Sequence, residues 1–220
     1  MKILIAGDST AADYNATKYP MMGWGQALAY FVKEHVTVRN YAKPGRSTGT
    51  FRTEGHWQSL LDHIAPGDWV FIQFGHNDQK LNEPVGVPED AFRHNLHQMH
   101  DEVRAREGNV LLLTGVVRCF YNERSILCDT QGNYPQIIRE TAETLSLPLV
   151  DAQRLLQAFE KENGRMALQS LYCYPSPAGN WVPEGGLDTS HFSISGAYEI
   201  ARMIVKEIRR QGFPPTDLFV

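Results

Sequence analysis

Lys2-Ile3-Leu4-Ile5-Ala6-Gly7-Asp8-Ser9-Thr10 is an apolar run that breaks off on a glycine, an acid and two hydroxyls. A strand that ends this way and turns toward a helix lifts Ser9 to the carboxyl edge of a sheet, where open α/β folds build their sites. Ser9 is therefore a candidate nucleophile. The same residues also suit a plain structural job, because Asp8 or Ser9 can cap the next helix by accepting a backbone N–H bond. Later stretches decide between the two.

Outward from that strand, apolar runs and helical patterns alternate. Trp24, Leu28, Phe31 and Val32 recur at helical spacing after the loop Ala11–Met22. Val36–Tyr41 is short and β-rich, and Trp57, Leu60, Leu61 and Ile64 mark a second helix stopped by Pro66-Gly67. Asp68–Phe74 is nearly continuous apolar, as a strand covered on both faces should be, and ends at Gly75-His76-Asn77-Asp78. Pro88, at the first helical position, opens a long helix that Gly108 closes. Val110–Val116 is a fourth strand, a polar excursion runs from Arg118 to Tyr134, and a further helix leads to the short strand Leu149–Asp151. Beyond one more helix, Gly164–Ser190 reads as a long irregular segment, and a final helix stops at Gly212. Alternation of this kind predicts a three-layer α/β/α sandwich around a flavodoxin-like, five-stranded parallel sheet, in one domain over residues 1–220.

Composition narrows the partners. Lys and Arg number 21 against 25 Asp and Glu, with no block of five like charges, so the chain lacks the basic footprint of a nucleic-acid binder. No apolar run approaches a membrane span, and the amino terminus enters a strand without a signal-peptide pattern, which reads as cytoplasmic. Cys119, Cys128 and Cys173 are odd in number and lack C-x-x-C spacing, so free thiols are expected, and neither metal nor other cofactor. Self-association is left open.

In the predicted winding the ends of the first three strands lie side by side, so Ser9, Gly45 and Asn77 converge. Acyl transfer needs a base for the serine proton and donors for the developing oxyanion. Asp188-Thr189-Ser190-His191 supplies the base and its orienter, since on a turn entering a helix residues three apart share a face. Donors come from the Ser9 N–H, the Gly45 N–H and the Asn77 amide. Each piece also has a structural reading: a helix-start carboxylate holding a histidine, a turn glycine after Pro44, an Asx turn at Asn77.

Taken together, Gly7-Asp8-Ser9, Gly45, Gly75-His76-Asn77-Asp78 and Asp188-x-x-His191 resemble the SGNH (GDSL-type) hydrolases in four blocks, in order, over nearly the whole chain. That resemblance implies Ser9 as nucleophile, Gly45 and Asn77 as oxyanion residues, His191 as base and Asp188 as its triad partner. Gly23-Trp24-Gly25-Gln26, Asn40, and Gly45-Arg46-Ser47 are similar to the rhamnogalacturonan acetylesterase branch, which implies deacetylation of oligo- or polysaccharides. Lys43-Pro44 before Gly45 and Thr189-Ser190 inside the last block depart from its pattern. Asp8, Arg46 and His76, beside the catalytic positions, are expected to touch substrate.

Gly45-Arg46-Ser47-Thr48-Gly49 also satisfies the nucleophile-elbow pattern G-x-S-x-G. The polar stretch Thr50–Gly55 follows it without an apolar helical stripe, so Ser47 is read as a supporting loop residue. Two other classes of function compete: a two-metal phosphoesterase, for which the Asp/His ligand count falls short, and a non-catalytic carbohydrate-binding protein, which needs no matched base. The expected partner is an acetylated oligosaccharide of pectin, rhamnogalacturonan or xylan type. Net acidity argues for short, soluble sugars over long polyuronates unless an Arg46/Arg52 patch offsets it.

Overall fold

The computed structural model describes residues 1–173 and 188–220. Its strands are β1 (Lys2–Gly7), β2 (Thr37–Asn40), β3 (Trp69–Gln73), β4 (Asn109–Leu113) and β5 (Leu149–Val150), all parallel in the order β2-β1-β3-β4-β5. This is the expected flavodoxin-like winding. Because successive side chains of a strand point to opposite faces, each strand feeds two cores. Ile3, Ile5, Phe71, Leu111 and Leu113 pack on one side against α1 (Trp24–Leu28), α6 (Ala152–Asn163), α7 (Arg165–Leu171) and α8 (Ile194–Gln211). Leu4, Ala6, Val70, Ile72, Val110 and Leu112 pack on the other against α2 (Thr48–Thr53), α3 (His56–Leu61), α4 (Glu89–Arg104) and α5 (Tyr134–Thr144). Phe71, fully buried on the central strand, anchors the first core; trimming such a ring to alanine costs about 3–5 kcal/mol.

Three expectations are corrected. A helix does follow Ser47 despite the polar stretch Thr50–Gly55: Thr48–Thr53 is helix α2, and Ser47 caps it by accepting the Thr50 N–H at 3.3 Å while Thr50 Oγ1 accepts the Ser47 N–H at 2.9 Å. The two hydroxyl residues form a reciprocal capping box, which a search for apolar stripes does not see. Gly164–Ser190 is not irregular from its start, because α7 occupies Arg165–Leu171 with Leu168 and Leu171 buried; residues 174–187 of that segment lie outside the described residues. Pro88 is the N-cap of α4, one position before the helix begins. The three cysteines are free thiols. Among the described residues no helix is long and apolar enough to cross a membrane.

The first loop is drawn tight against the sheet. Asn40 at the end of β2 donates to Ala11 O and Asp13 Oδ1, both at 2.7 Å. Gly23 and Gly25 let α1 approach: a Cβ on either would meet Ala12 O at 2.3 Å or Ala11 O at 2.5 Å. Trp24 Nε1 then reaches Gln73 Oε1, at the end of β3, at 2.7 Å. The loop after β1 is thus fixed to the edge on which the candidate site lies.

Candidate active site

With the order β2-β1-β3-β4, the carboxyl ends of the strands present, side by side, Gly45, Ser9, Asn77 and Arg118. Ser9 sits where the strand order reverses, the switch point at which open α/β sheets form crevices. A cleft of about 400 Å³ opens there, lined by Ser9, Thr10, Pro44, Gly45, His76, Asn77, Lys80, Arg118, Ser190 and His191. It gathers five of the expected site residues, from three strand ends and the loop before α8.

The turn at Ser9 is set by its neighbours. Asp8 Oδ1 accepts from the Thr10 N–H at 2.9 Å and the Thr10 hydroxyl at 2.8 Å, and Ala11 N–H closes on Asp8 O at 3.2 Å. These bonds leave the Ser9 hydroxyl and the Ser9 N–H without a hydrogen-bond partner among the described residues. Tyr14 donates its hydroxyl to Ser9 O at 2.9 Å and turns its ring edge toward His191, with centroids 6.4 Å apart. Gln26 clamps the Tyr14 backbone through two bonds, accepting the Tyr14 N–H at 2.9 Å and donating to Tyr14 O at 3.1 Å.

The two donor loops are clasped together. Lys43-Pro44-Gly45-Arg46 closes with Arg46 N–H on Lys43 O at 3.3 Å; Gly45 has φ +77°, the left-handed value that a turn with Pro second and Gly third requires. An added Cβ at Gly45 would meet nothing within 4 Å, so the glycine is there for its backbone angle and not for space. Its N–H has no acceptor among the described residues. Asn77 Nδ2 donates to Arg46 O at 3.0 Å, which fixes the amide plane with one N–H left over. Asp78, fully buried, accepts from Thr48 N–H (2.8 Å), Thr48 Oγ1 (2.6 Å) and Gly75 N–H (3.1 Å). Burial outweighs those donors and pushes its pKa up to about 6.

Across the cleft, Asp188 holds the histidine. Its Oδ1 accepts the Ser190 and His191 N–H groups, both at 2.9 Å, and its Oδ2 lies 2.8 Å from His191 Nδ1. This leaves the other ring nitrogen of His191 for the cleft. Burial raises the Asp188 pKa, but the hydrogen bond and charge of His191 and the two backbone donors prevail and hold it below the ordinary carboxylate value. Backbone bonds brace the loop: Cys119 N–H to Thr189 O and Cys173 N–H to His191 O, both 2.8 Å.

Two residues expected at the substrate do not line the cleft. Asp8 has no exposed surface and shapes the turn from below. Arg46 turns its guanidinium to Glu54 Oε2 at 2.7 Å and Pro44 O at 3.0 Å, so only its carbonyl serves the site. Arg52 is likewise spent on Glu102, at 2.7 and 2.9 Å, and no Arg46/Arg52 patch exists. His76 does line the cleft, nearly buried, with burial lowering its pKa and its Nε2 unpartnered. Ser47 is fully buried in its capping box. Sequence reasoning missed Tyr14, Lys80 and Arg118. For Arg118 the signal was available, since it follows β4, the strand next to β3. Among the described residues, no three His, Cys, Asp or Glu side chains are grouped to hold a metal.

The family model described as GDSL-like Lipase/Acylhydrolase matches residues 5–182. The chain is 34% identical to the rhamnogalacturonan acetylesterase RhgT of Bacillus subtilis, covering 100% of this chain and 94% of that protein. Its fold is similar to the crystal structure of YxiM from Bacillus subtilis, with a TM-score of 0.82 and 30% identity over 97% of this chain; the match spans 57% of that longer chain. An acetylxylan esterase, Axe2 of Geobacillus stearothermophilus, shares the fold at a TM-score of 0.67 and 20% identity, over 94% of this chain and 93% of that one. A family match over most of the length, with a full-length relative one-third identical, makes this chain a member of the GDSL-like lipase/acylhydrolase family of ester hydrolases.

Proposed function

We propose that this chain, acting as one domain, is a serine esterase that removes acetyl groups from plant cell-wall-derived oligosaccharides of rhamnogalacturonan, pectin or xylan type. One observation carries the reading: a single cleft is lined by a serine whose hydroxyl is free among the described residues, by N–H donors of Ser9, Gly45 and Asn77 likewise unengaged there, and by a histidine whose far nitrogen is held by a carboxylate. The name of the 34% identical relative supports the acetylated-carbohydrate substrate.

In this mechanism Ser9 Oγ attacks the acetyl carbonyl while His191 Nε2 takes its proton. Asp188 keeps Nδ1 protonated and stabilises the imidazolium. The Ser9 N–H, the Gly45 N–H and the spare Asn77 N–H receive the tetrahedral oxyanion. Collapse expels the sugar alcohol, which takes the proton from His191, and water then hydrolyses the acetyl-enzyme by the same route in reverse.

Acetate release from acetylated rhamnogalacturonan, pectin and xylan fragments tests the proposal, together with labelling by an organophosphonate. Ser9→Ala is expected to abolish both release and labelling. Activity lost to a chelator and restored by a divalent ion would replace this reading with metal-dependent phosphoester chemistry. Sugar binding without turnover would leave only a carbohydrate-binding role.

A further inference from the structure

One side chain in the loop after β1 reaches both reacting groups. From its hydroxyl Tyr14 donates to Ser9 O at 2.9 Å. The other end of the same peptide unit, the Thr10 N–H, donates to Asp8 Oδ1 at 2.9 Å. A peptide is planar, so bonds at both its carbonyl and its N–H fix the orientation of the whole unit, and with it the backbone that aims Ser9. The Tyr14 ring meets the His191 ring at 79°, with centroids 6.4 Å apart, in the T-shaped arrangement that aromatic pairs favour. Burial, with the charges of Asp8 and Asp188 behind it, raises the Tyr14 hydroxyl pKa above its ordinary value, so the group stays a donor.

Tyr14 is itself held in place. Gln26 on α1 accepts its N–H at 2.9 Å and donates to its carbonyl at 3.1 Å. The loop is tied down on either side of it: Trp24 N–H to Thr10 O at 3.0 Å, Gly23 N–H to Ala12 O at 3.1 Å, and Met22 N–H to Phe192 O, next to His191, at 3.1 Å. The block Gly23-Trp24-Gly25-Gln26 stands out in the sequence without a chemical task. Here Gly23, Trp24 and Gln26 fix the loop that carries Tyr14.

We infer that Tyr14, locked by Gln26, is a positioning residue that sets Ser9 against His191 for proton transfer; this rests on the serine-esterase reading above. A proton passes between two groups only within hydrogen-bond reach, so a side chain that touches both acts on rate and not on substrate affinity.

The experiment measures kcat and KM on p-nitrophenyl acetate, which has no sugar to contact, and on an acetylated rhamnogalacturonan oligosaccharide, with thermal melts alongside. Tyr14→Phe keeps the ring and removes the hydroxyl. It is expected to lower kcat by about 10-fold on both esters, with KM and melting temperature little changed. Tyr14→Leu loses the ring as well and should fall by about a further 3- to 10-fold, so that phenylalanine restores part of what leucine removes. Gln26→Leu should lower kcat by about 3- to 10-fold in the wild type and have almost no further effect beside Tyr14→Leu, because the clamp then has nothing to hold. Wild-type kcat in both Tyr14 variants overturns positioning, as do additive effects of Gln26→Leu and Tyr14→Leu, or losses that only follow the unfolded fraction. A rise in KM confined to the oligosaccharide also overturns it and makes Tyr14 a sugar contact. No hydrolysis of either ester by the wild-type chain removes the esterase reading together with this one.

Discussion

Asp78 and Asp188 each accept three hydrogen bonds at the same edge of the sheet, and their environments drive them in opposite directions. Asp188 keeps its ordinary charge because one of its partners, His191, is itself ionisable, and the attraction between them outweighs partial burial. Asp78 has only neutral donors and no exposed surface, so burial wins and its pKa rises to about 6. The number of hydrogen bonds does not decide the state of a carboxylate. What separates these two is the depth of burial and whether an opposite charge stands beside the carboxylate. One acid is therefore suited to chemistry, and the other clasps α2 to the Gly75–Asp78 turn.

The contrast can be broken at four points. Asp188→Asn should be the most damaging, because an amide no longer fixes the tautomer of His191; kcat is expected to drop by about 10⁴ with little change in melting temperature. A comparable loss of melting temperature would make Asp188 a structural residue instead. Asn77→Ala, which removes the proposed oxyanion donor, should lower kcat by about 10²–10³, or roughly 2.7–4 kcal/mol, with KM little changed. Normal kcat in a destabilised Asn77→Ala protein would reduce Asn77 to a turn residue.

Asp78→Asn should act on stability through pH. With a folded pKa of about 6 above an unfolded value near 3.8, Asp78 contributes stability that is fully present below pH 3.8 and is lost as pH rises through 6. The shift corresponds to on the order of 3 kcal/mol. Urea unfolding of wild type and Asp78→Asn between pH 4 and 7 should therefore give stabilities whose difference moves against the wild type as pH rises. Parallel curves would mean that Asp78 is not protonated in the folded protein at acid pH. Ser47→Ala, the smallest of the four, should lose the α2 cap for about 1 kcal/mol of stability while acetyl ester turnover persists. Loss of turnover in a folded Ser47→Ala protein would revive the nucleophile-elbow reading of that stretch.

The fold was legible from the β1 run onward because buried parallel strands must be apolar, and their alternation with helices leaves few windings. The convergence of Ser9, Gly45, Asn77 and His191 on one cleft was legible for a related reason: the first three follow strand ends at one edge of the sheet, and the Asp188-x-x-His191 spacing before the last helix pairs the acid with the histidine. The capping box at Ser47 was not legible as a helix start, since two hydroxyls and no apolar stripe give periodicity nothing to register. Asp8 and Arg46 stand beside candidate site residues in the chain, but Asp8 is buried beneath the turn and an ion pair with Glu54 turns Arg46 away.

By itself, then, the sequence determined the order of the elements, the winding and the chemical identity of the candidate triad, because each follows from local patterning or from residues that one reaction requires. Only the tertiary structure decided which charges remain available. Arg46 and Arg52 are cancelled by acids 8 and 50 residues away, whereas Arg118 lines the same cleft as Asn77 with no ion pair among the described residues. Coulomb interactions depend on distance in space and on burial, and neither can be read along the chain.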